Sequence, residues 1–322
     1  MSAYLGLMAA GSAVIFLLYG LRCAKAVRLP LLRKRAWETA LLSFVFSAVF
    51  GTVLARVGYA LLTLELDFEY DGIEALAQLL ELDIGSVSFF CGAAGVCLGV
   101  LLANRLTRKG SVLAGMDAFA PFGALLAALF RLGELFHGSY GLGSTLPEGS
   151  PLTFFPFAMK MTVAGGYESW RWSVCVLSAL FALVWAAFDF FRLRGKGRAG
   201  LHFTLALFFL ALPQVLCESL RTRGILWLFV HAEELLCVIL LLAVLLFWIL
   251  KSGKGLPFPR RWAPLGVLVL GAGLLVAAEF ALDGKFFNVP RFATYLFMCA
   301  VLTAVGAAGA AAAKRWNGAG PD

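Results

Sequence analysis

The chain has 322 residues, is 61% hydrophobic and only 14% charged, and carries a formal net charge of +8, with a mean hydropathy of +0.88. That composition excludes a soluble domain of this length, which would need far more polar surface, and identifies a polytopic membrane protein. The basic excess is explained by membrane topology and anionic lipid, and it gives no reason to invoke nucleic acid.

Nine apolar segments are predicted, at about 3–21, 38–63, 87–104, 112–136, 171–191, 200–220, 228–250, 264–282 and 292–313. Each is of the order of 20 residues, enough to cross a hydrocarbon core of ~30 Å. Twenty-nine Phe and several Gly-rich spans favour helices, since barrel strands would alternate in short segments. The expected fold is all-α, a bundle of about nine transmembrane helices. A seven-helix core over about 1–250 would be followed by two further helices within about 262–315.

Span one has neither a basic leading region nor a small-residue cleavage site, so a retained helix is expected rather than a removed signal peptide. It ends on Tyr19-Gly20-Leu21, and Arg22, Lys25, Arg28, Arg33, Lys34 and Arg35 follow. Span two ends in LARVGYAL, with Arg56 and Tyr59. The next connection holds Glu65, Asp67, Glu69, Asp71, Glu74, Glu81 and Asp83 without a Lys or Arg. Ile73, Leu76, Leu79 and Leu80 there predict a short amphipathic helix along the outer interface. Span three contains CGAAGVCLG, and Gly92, Gly95 and Gly99 predict close helix packing.

Span four starts near Asp117, where an acid favours the helix dipole. It ends in FRLGELFHGSYG, with Arg131, Glu134 and His137 at three-residue intervals on one helical face. Residues 137–170, rich in Gly, Ser, Pro and aromatics, read as a partly ordered arm over the outer leaflet. Span six carries Gln214, Glu218 and Arg221 at intervals of four and three, again on one face. Span seven opens with His231, Glu233 and Glu234, and Glu279 stands among apolar residues in span eight. None of the seven cysteines forms a CxxC pair, so they read as small core residues rather than zinc ligands or a disulfide framework.

The connections after odd-numbered spans, with the tail, hold nineteen of the 27 Lys and Arg. The positive-inside rule then places the N-terminus outside and the C-terminus in the cytoplasm of a multi-pass cell-membrane protein. By that topology Arg56, Arg131, Glu134, His137, Glu218, Arg221, His231 and Glu234 gather in the outer half. An ionisable residue at mid-span costs roughly 2.5–3.5 kcal/mol, so each needs a partner or a purpose. Two readings stand side by side. Arg131 with Glu134, and Glu218 with Arg221, can be charge-neutralising packing pairs, with Arg56 reaching to headgroups. Alternatively they converge on one site.

Five stretches, in order over about residues 1–250, resemble the bacterial prolipoprotein diacylglyceryl transferases. They are YGL in span one, ARVGYAL, SFFCGAAG, MDAFAPFGALLAALFRLGELFHGSYG and CESLRT. The last two are similar to the family's Asp-x-x-Ala-Pro … Gly-Arg-x-Gly-Asn-Phe-x-Asn-Gly-Glu signature and its late Glu-Phe-x-Arg. The sequence departs from the pattern at several points. Phe90 stands where the family has histidine, and Gln214 where it has arginine. Glu134, His137 and Ser139 replace two Asn and a Glu of the signature.

The resemblance implies attack by a preprolipoprotein cysteine thiol on the glycerol C3 of phosphatidylglycerol, or of another anionic phospholipid, in the membrane. It implies no metal and no cofactor. The residues expected in catalysis are Arg131, Glu134 and His137. Arg131, Arg221 and Arg56 would hold the phosphate, and Glu134 or His137 would take the thiol proton in place of the group missing at Phe90. Tyr19, Tyr59, Gln214 and Glu218 complete the expected substrate contacts. The departures also admit two alternatives: an enzyme modifying another phospholipid headgroup on the same scaffold, and a non-catalytic lipid-binding or scramblase-like protein. No internal repeat or matched pair of broken helices supports a transporter.

Overall fold

The computed structural model describes residues 2–25, 30–63, 87–107, 111–146, 149–162, 168–192, 197–222, 226–227, 230–252, 257–282 and 290–318. Among the described residues, nine helices are long and apolar enough to cross a membrane, as the hydropathy pattern predicts. They are α1 (Ser2–Lys25), α2 (Pro30–Leu62), α3 (Phe89–Thr107), α4 (Val112–Gly133), α5 (Val174–Arg192), α6 (Leu201–Ser219), α7 (Ala232–Lys251), α8 (Phe258–Leu282) and α9 (Arg291–Gly318). A 3₁₀ turn, Glu134–Gly141, continues α4. The acidic connection 64–86, with the amphipathic helix expected there, lies outside the described residues.

The glycines of α3 act as their spacing predicts. A Cβ built on Gly99 would come within 2.7 Å of the Ser47 Cα, and one on Gly92 within 3.1 Å of the Ala55 Cβ. The α2 and α3 backbones therefore approach closely, in antiparallel register. Nearby, Ser47 Oγ donates to the Val96 carbonyl at 3.1 Å. Helix α4 runs antiparallel to α1, which is why Tyr4 meets Phe136 while Phe16 stacks on Phe119.

Two aromatic cores flank α4. Phe16, Tyr19, Phe119 and Phe122 fill the space between α1 and α4. On the other side Phe208, Leu241, Trp248 and Met298 join α6 and α7 to α9. The two C-terminal helices therefore share a core with the family-like part of the chain. The buried Trp248 indole donates to Thr204 Oγ1 at 3.0 Å, so its N–H is satisfied in the apolar interior.

At one end of the bundle, Asp117 does a different task from the one expected. Its oxygens accept the Gly200 N–H at 2.6 Å and the Phe203 N–H at 2.9 Å. It caps the N-terminus of α6, not its own helix, because orphan amide donors in lipid must find an acceptor. Beside it, His202 Nδ1 bonds Asp189 Oδ1 at 2.7 Å.

At the opposite end, the expected arm contains a β-hairpin, β1 (Ala158–Thr162) with β2 (Glu168–Trp172). Gly143 and Ser144 stitch it to the end of α6. The Gly143 N–H donates to Trp172 O at 2.7 Å, and the Ser144 N–H to Leu220 O at 3.0 Å.

Replacing Gly99 by Ala should cost about 1–3 kcal/mol through overpacking of α2 against α3. Gly273, whose added Cβ would meet nothing within 4 Å, should tolerate the same change or gain slightly. Thermal unfolding of the two variants in detergent checks both.

Candidate functional site

Among the described residues a large cavity of about 1220 Å³ is bordered by α1 to α7 and reaches toward the hairpin end of the bundle. Its deeper wall is apolar and small, with Phe119, Gly123, Ala127, Ala182 and Leu210 among its lining residues. Its upper wall carries Arg131, Glu134, Glu218, Arg221 and Glu233. Phe119 and Glu134 are fifteen residues apart in sequence, so at 1.5 Å per residue the α4 wall is roughly 22 Å long.

The polar end is a closed network from three helices. Arg131, 2% exposed, donates from Nη1 to Glu134 Oε1 at 2.5 Å and from Nη2 to Glu218 Oε1 at 3.0 Å. Its guanidinium carbon lies 3.7 Å from the Phe89 ring centroid, a cation–π contact that replaces water on that face. Arg221 Nη2 donates to Glu134 Oε2 at 2.6 Å, and its Nε lies 3.2 Å from Glu218 Oε1. Gln214 Nε2 also donates to Glu218 Oε1. Glu233 Oε2 lies 3.7 Å from Arg131 Nη2.

The spacing therefore does more than form pairs within single helices. Glu134 bridges Arg131 of α4 to Arg221 beyond the end of α6, and Glu218 bridges the same two from α6. Each carboxylate is shared, so removing one charge unbalances two helices. Arg221 sits past the α6 span, beside the bridge between Gly143 and Arg221. Burial disfavours its charged form, but Glu134, Glu218 and Glu233 outweigh that and hold its pKa above the ordinary arginine value.

The expected site residues divide clearly. Arg131, Glu134, Gln214, Glu218, Arg221 and Tyr59 all line the cavity. His137 lies in the 3₁₀ turn, and its side chain is outside the described residues. Arg56 is not on the cavity wall; its guanidinium carbon lies 5.9 Å from the Tyr59 ring centroid. Tyr19 is also off the wall, fully buried edge-on to Phe119 and Phe122. Phe119 stands twelve residues from Arg131, so Tyr19 packs about 18 Å down α4 from the charges.

Glu233 and Ser88 line the cavity and join the network without having been singled out by sequence spacing. Neither has a charged neighbour at helical intervals, because their partners come from distant segments. The signal available was the acidic first turn of α7, directly after His231. His231 also lines the cavity. Among the described residues no group of His, Cys, Asp and Glu has the arrangement of a metal site.

The family model for prolipoprotein diacylglyceryl transferases matches residues 2–250. That family acts as membrane transferases in lipoprotein biosynthesis. No curated protein matches the chain.

Replacing Arg131 by Ala leaves Glu134, Glu218 and Glu233 sharing the charge of Arg221 in the interior and should cost about 3–5 kcal/mol. The check is a fall in the detergent melting temperature well beyond that of Arg56→Ala, which leaves the network intact.

Proposed function

This chain belongs to the prolipoprotein diacylglyceryl transferase family, and on that premise we propose that it transfers the diacylglyceryl group of phosphatidylglycerol to a lipobox cysteine thiol. The observation that carries the reading is the form of the cavity. A long apolar wall leads to buried guanidinium groups, and that sequence of surfaces suits an amphiphile with two acyl chains and a phosphate headgroup. Its volume, about 1220 Å³, exceeds the roughly 300–1,000 Å³ of ordinary small-molecule sites.

In this reading the acyl chains lie along Gly123, Ala127, Ala182 and Leu210. The phosphate meets Arg131 and Arg221, whose planar forks suit phosphate oxygens. The thiol sulfur attacks glycerol C3, a C–S bond forms, and the C3–O bond breaks. Its electron pair leaves on the phosphate, where negative charge grows and the two guanidiniums stabilise it. The donor enters from the outer leaflet, in keeping with the alternating distribution of Lys and Arg. Tyr59 and Gln214 stand on the wall as substrate contacts, and Glu218 keeps both arginines aligned.

Of the two proton acceptors expected from sequence, Glu134 has each oxygen in a guanidinium contact. Both oxygens are thereby engaged, which leaves neither placed to take a thiol proton. His137 stays a candidate through its place in the turn beside Glu134.

One observation favours a second reading, a lipid-binding or headgroup-modifying protein on the same scaffold. Both arginines already hold carboxylates, with Glu134 and Gln214 standing where the family pattern has Asn and Arg.

The deciding assay mixes the purified protein with phosphatidylglycerol vesicles and a lipobox peptide. Thioether-linked peptide and released glycerol phosphate, read by mass spectrometry, are expected. Arg221→Ala should lower kcat by about 10²–10³-fold. A folded wild-type protein that yields no lipidated peptide would end the transferase reading, and lipid products without peptide would favour the headgroup alternative.

A further inference from the structure

Glu233 is held in a way that the other cavity carboxylates are not. It is the second residue of α7, and its side chain is 17% exposed and faces the cavity. Its Oε1 accepts the Ser88 hydroxyl at 2.9 Å and the Phe90 N–H at 3.4 Å. Ser88 is itself fixed at the start of α3, where its Oγ accepts the Cys91 N–H at 3.3 Å. One oxygen is therefore anchored by neutral donors from the α3 N-terminus. The other, Oε2, lies 3.7 Å from Arg131 Nη2, beyond hydrogen-bond range.

The contrast with its neighbours is chemical. Glu134 is gripped on both oxygens by guanidiniums, and Glu218 Oε1 takes contacts from Arg131, Arg221 and Gln214. Carboxylates so engaged are committed to charge balance. Glu233 lines the cavity, and its Oε2 has no direct donor among the described residues. That oxygen stands next to the guanidinium expected to hold the phosphate. Through the Phe90 N–H the carboxylate also sits beside the position at which this sequence carries no ionisable side chain.

We propose that Glu233 is the general base of the transfer, accepting the thiol proton on Oε2 while Arg131 holds the phosphate; this rests on the transferase reading above. The S–H proton passes to Oε2, and the sulfur forms its bond to glycerol C3. The C3–O bond breaks with its electron pair on the phosphate. The proton held by Glu233 then leaves with the released glycerol phosphate, which restores the carboxylate. Ser88 and the Phe90 amide are positioning groups, since they fix which oxygen faces the thiol. Carboxylates serve as general bases when within hydrogen-bond reach of the proton, and such assistance contributes typically about 10²–10⁴-fold.

The test uses the full chain with two lipobox peptides, one bearing cysteine and the other selenocysteine. A selenol is ionised at neutral pH and needs no proton acceptor. Glu233→Gln keeps the shape and an acceptor oxygen for Ser88 and Phe90. It should lose at least about 10²-fold in kcat with the thiol and come within about threefold of wild type with the selenol. Glu233→Asp keeps the carboxylate and should lie between the two with the thiol; if the Gln variant does not fold, the thiol-to-selenol ratio is read on Asp. Full thiol activity in Glu233→Gln would overturn the proposal, as would an equal loss with both peptides in the folded variant. A wild-type protein inactive on both peptides would instead overturn the transferase reading, and the role of Glu233 with it.

Discussion

A guanidinium inside a bilayer is tolerable only when carboxylates in the same low-dielectric space meet its charge, and the Arg131 network satisfies that condition by tying three helices together. Arg131 comes from α4, Glu218 from α6 and Glu233 from α7, while Arg221 follows α6 and Glu134 follows α4. Coulombic attraction is far stronger here than at a water-exposed surface, but so is the penalty for an unmatched charge. The helix ends are consequently fixed relative to one another, and the mouth of the cavity has a defined shape. A lipid phosphate entering this place would redistribute existing contacts rather than find an idle cation.

The opposite end of the bundle solves a related problem with different groups. Asp117 supplies the acceptors that the first amides of α6 lack, and the Asp189–His202 pair joins α5 to α6 close by. Between these two polar ends the interfaces are apolar and close, with glycines between α2 and α3 and small residues such as Ala128, Ala179 and Ala182 between α4 and α5. Small side chains on α4 leave room on its other side, and that room is the apolar wall of the cavity.

The C-terminal helices connect to the same region from outside. Tyr295 of α9 lies edge-on to Trp172, 6.0 Å between ring centroids, and the Trp172 N–H donates to Ser144 O at 3.2 Å. Ser144 in turn bonds the backbone at Leu220, one residue before Arg221. The segment beyond the match to the family therefore buttresses the turn that presents the Arg221 guanidinium to the cavity. In α8, Glu279 stands near Glu234 of α7, so an acid that looked isolated in sequence has a second carboxyl as its neighbour from another helix.

Class, helix count and several of the residues that line the cavity were legible in the sequence because they follow from local chemistry. Backbone groups in lipid must bond within their own helix, so apolar runs of sufficient length determine nine spans. Glycine spacing determined the α2–α3 approach, and Arg131 with Glu134, or Gln214 with Glu218, share a face by helical periodicity. What the sequence could not determine is which faces meet. The Glu134–Arg221, Glu218–Arg131 and Glu233–Ser88 contacts join segments far apart in the chain, and no periodicity encodes such pairings. Only the packing of the bundle decided that Tyr19 belongs to an aromatic core, that Asp117 caps a neighbouring helix, and that Glu233 faces the cavity. Helix formation in a membrane is a local requirement, whereas charge compensation is met across helices, and only the tertiary arrangement fixes the partners.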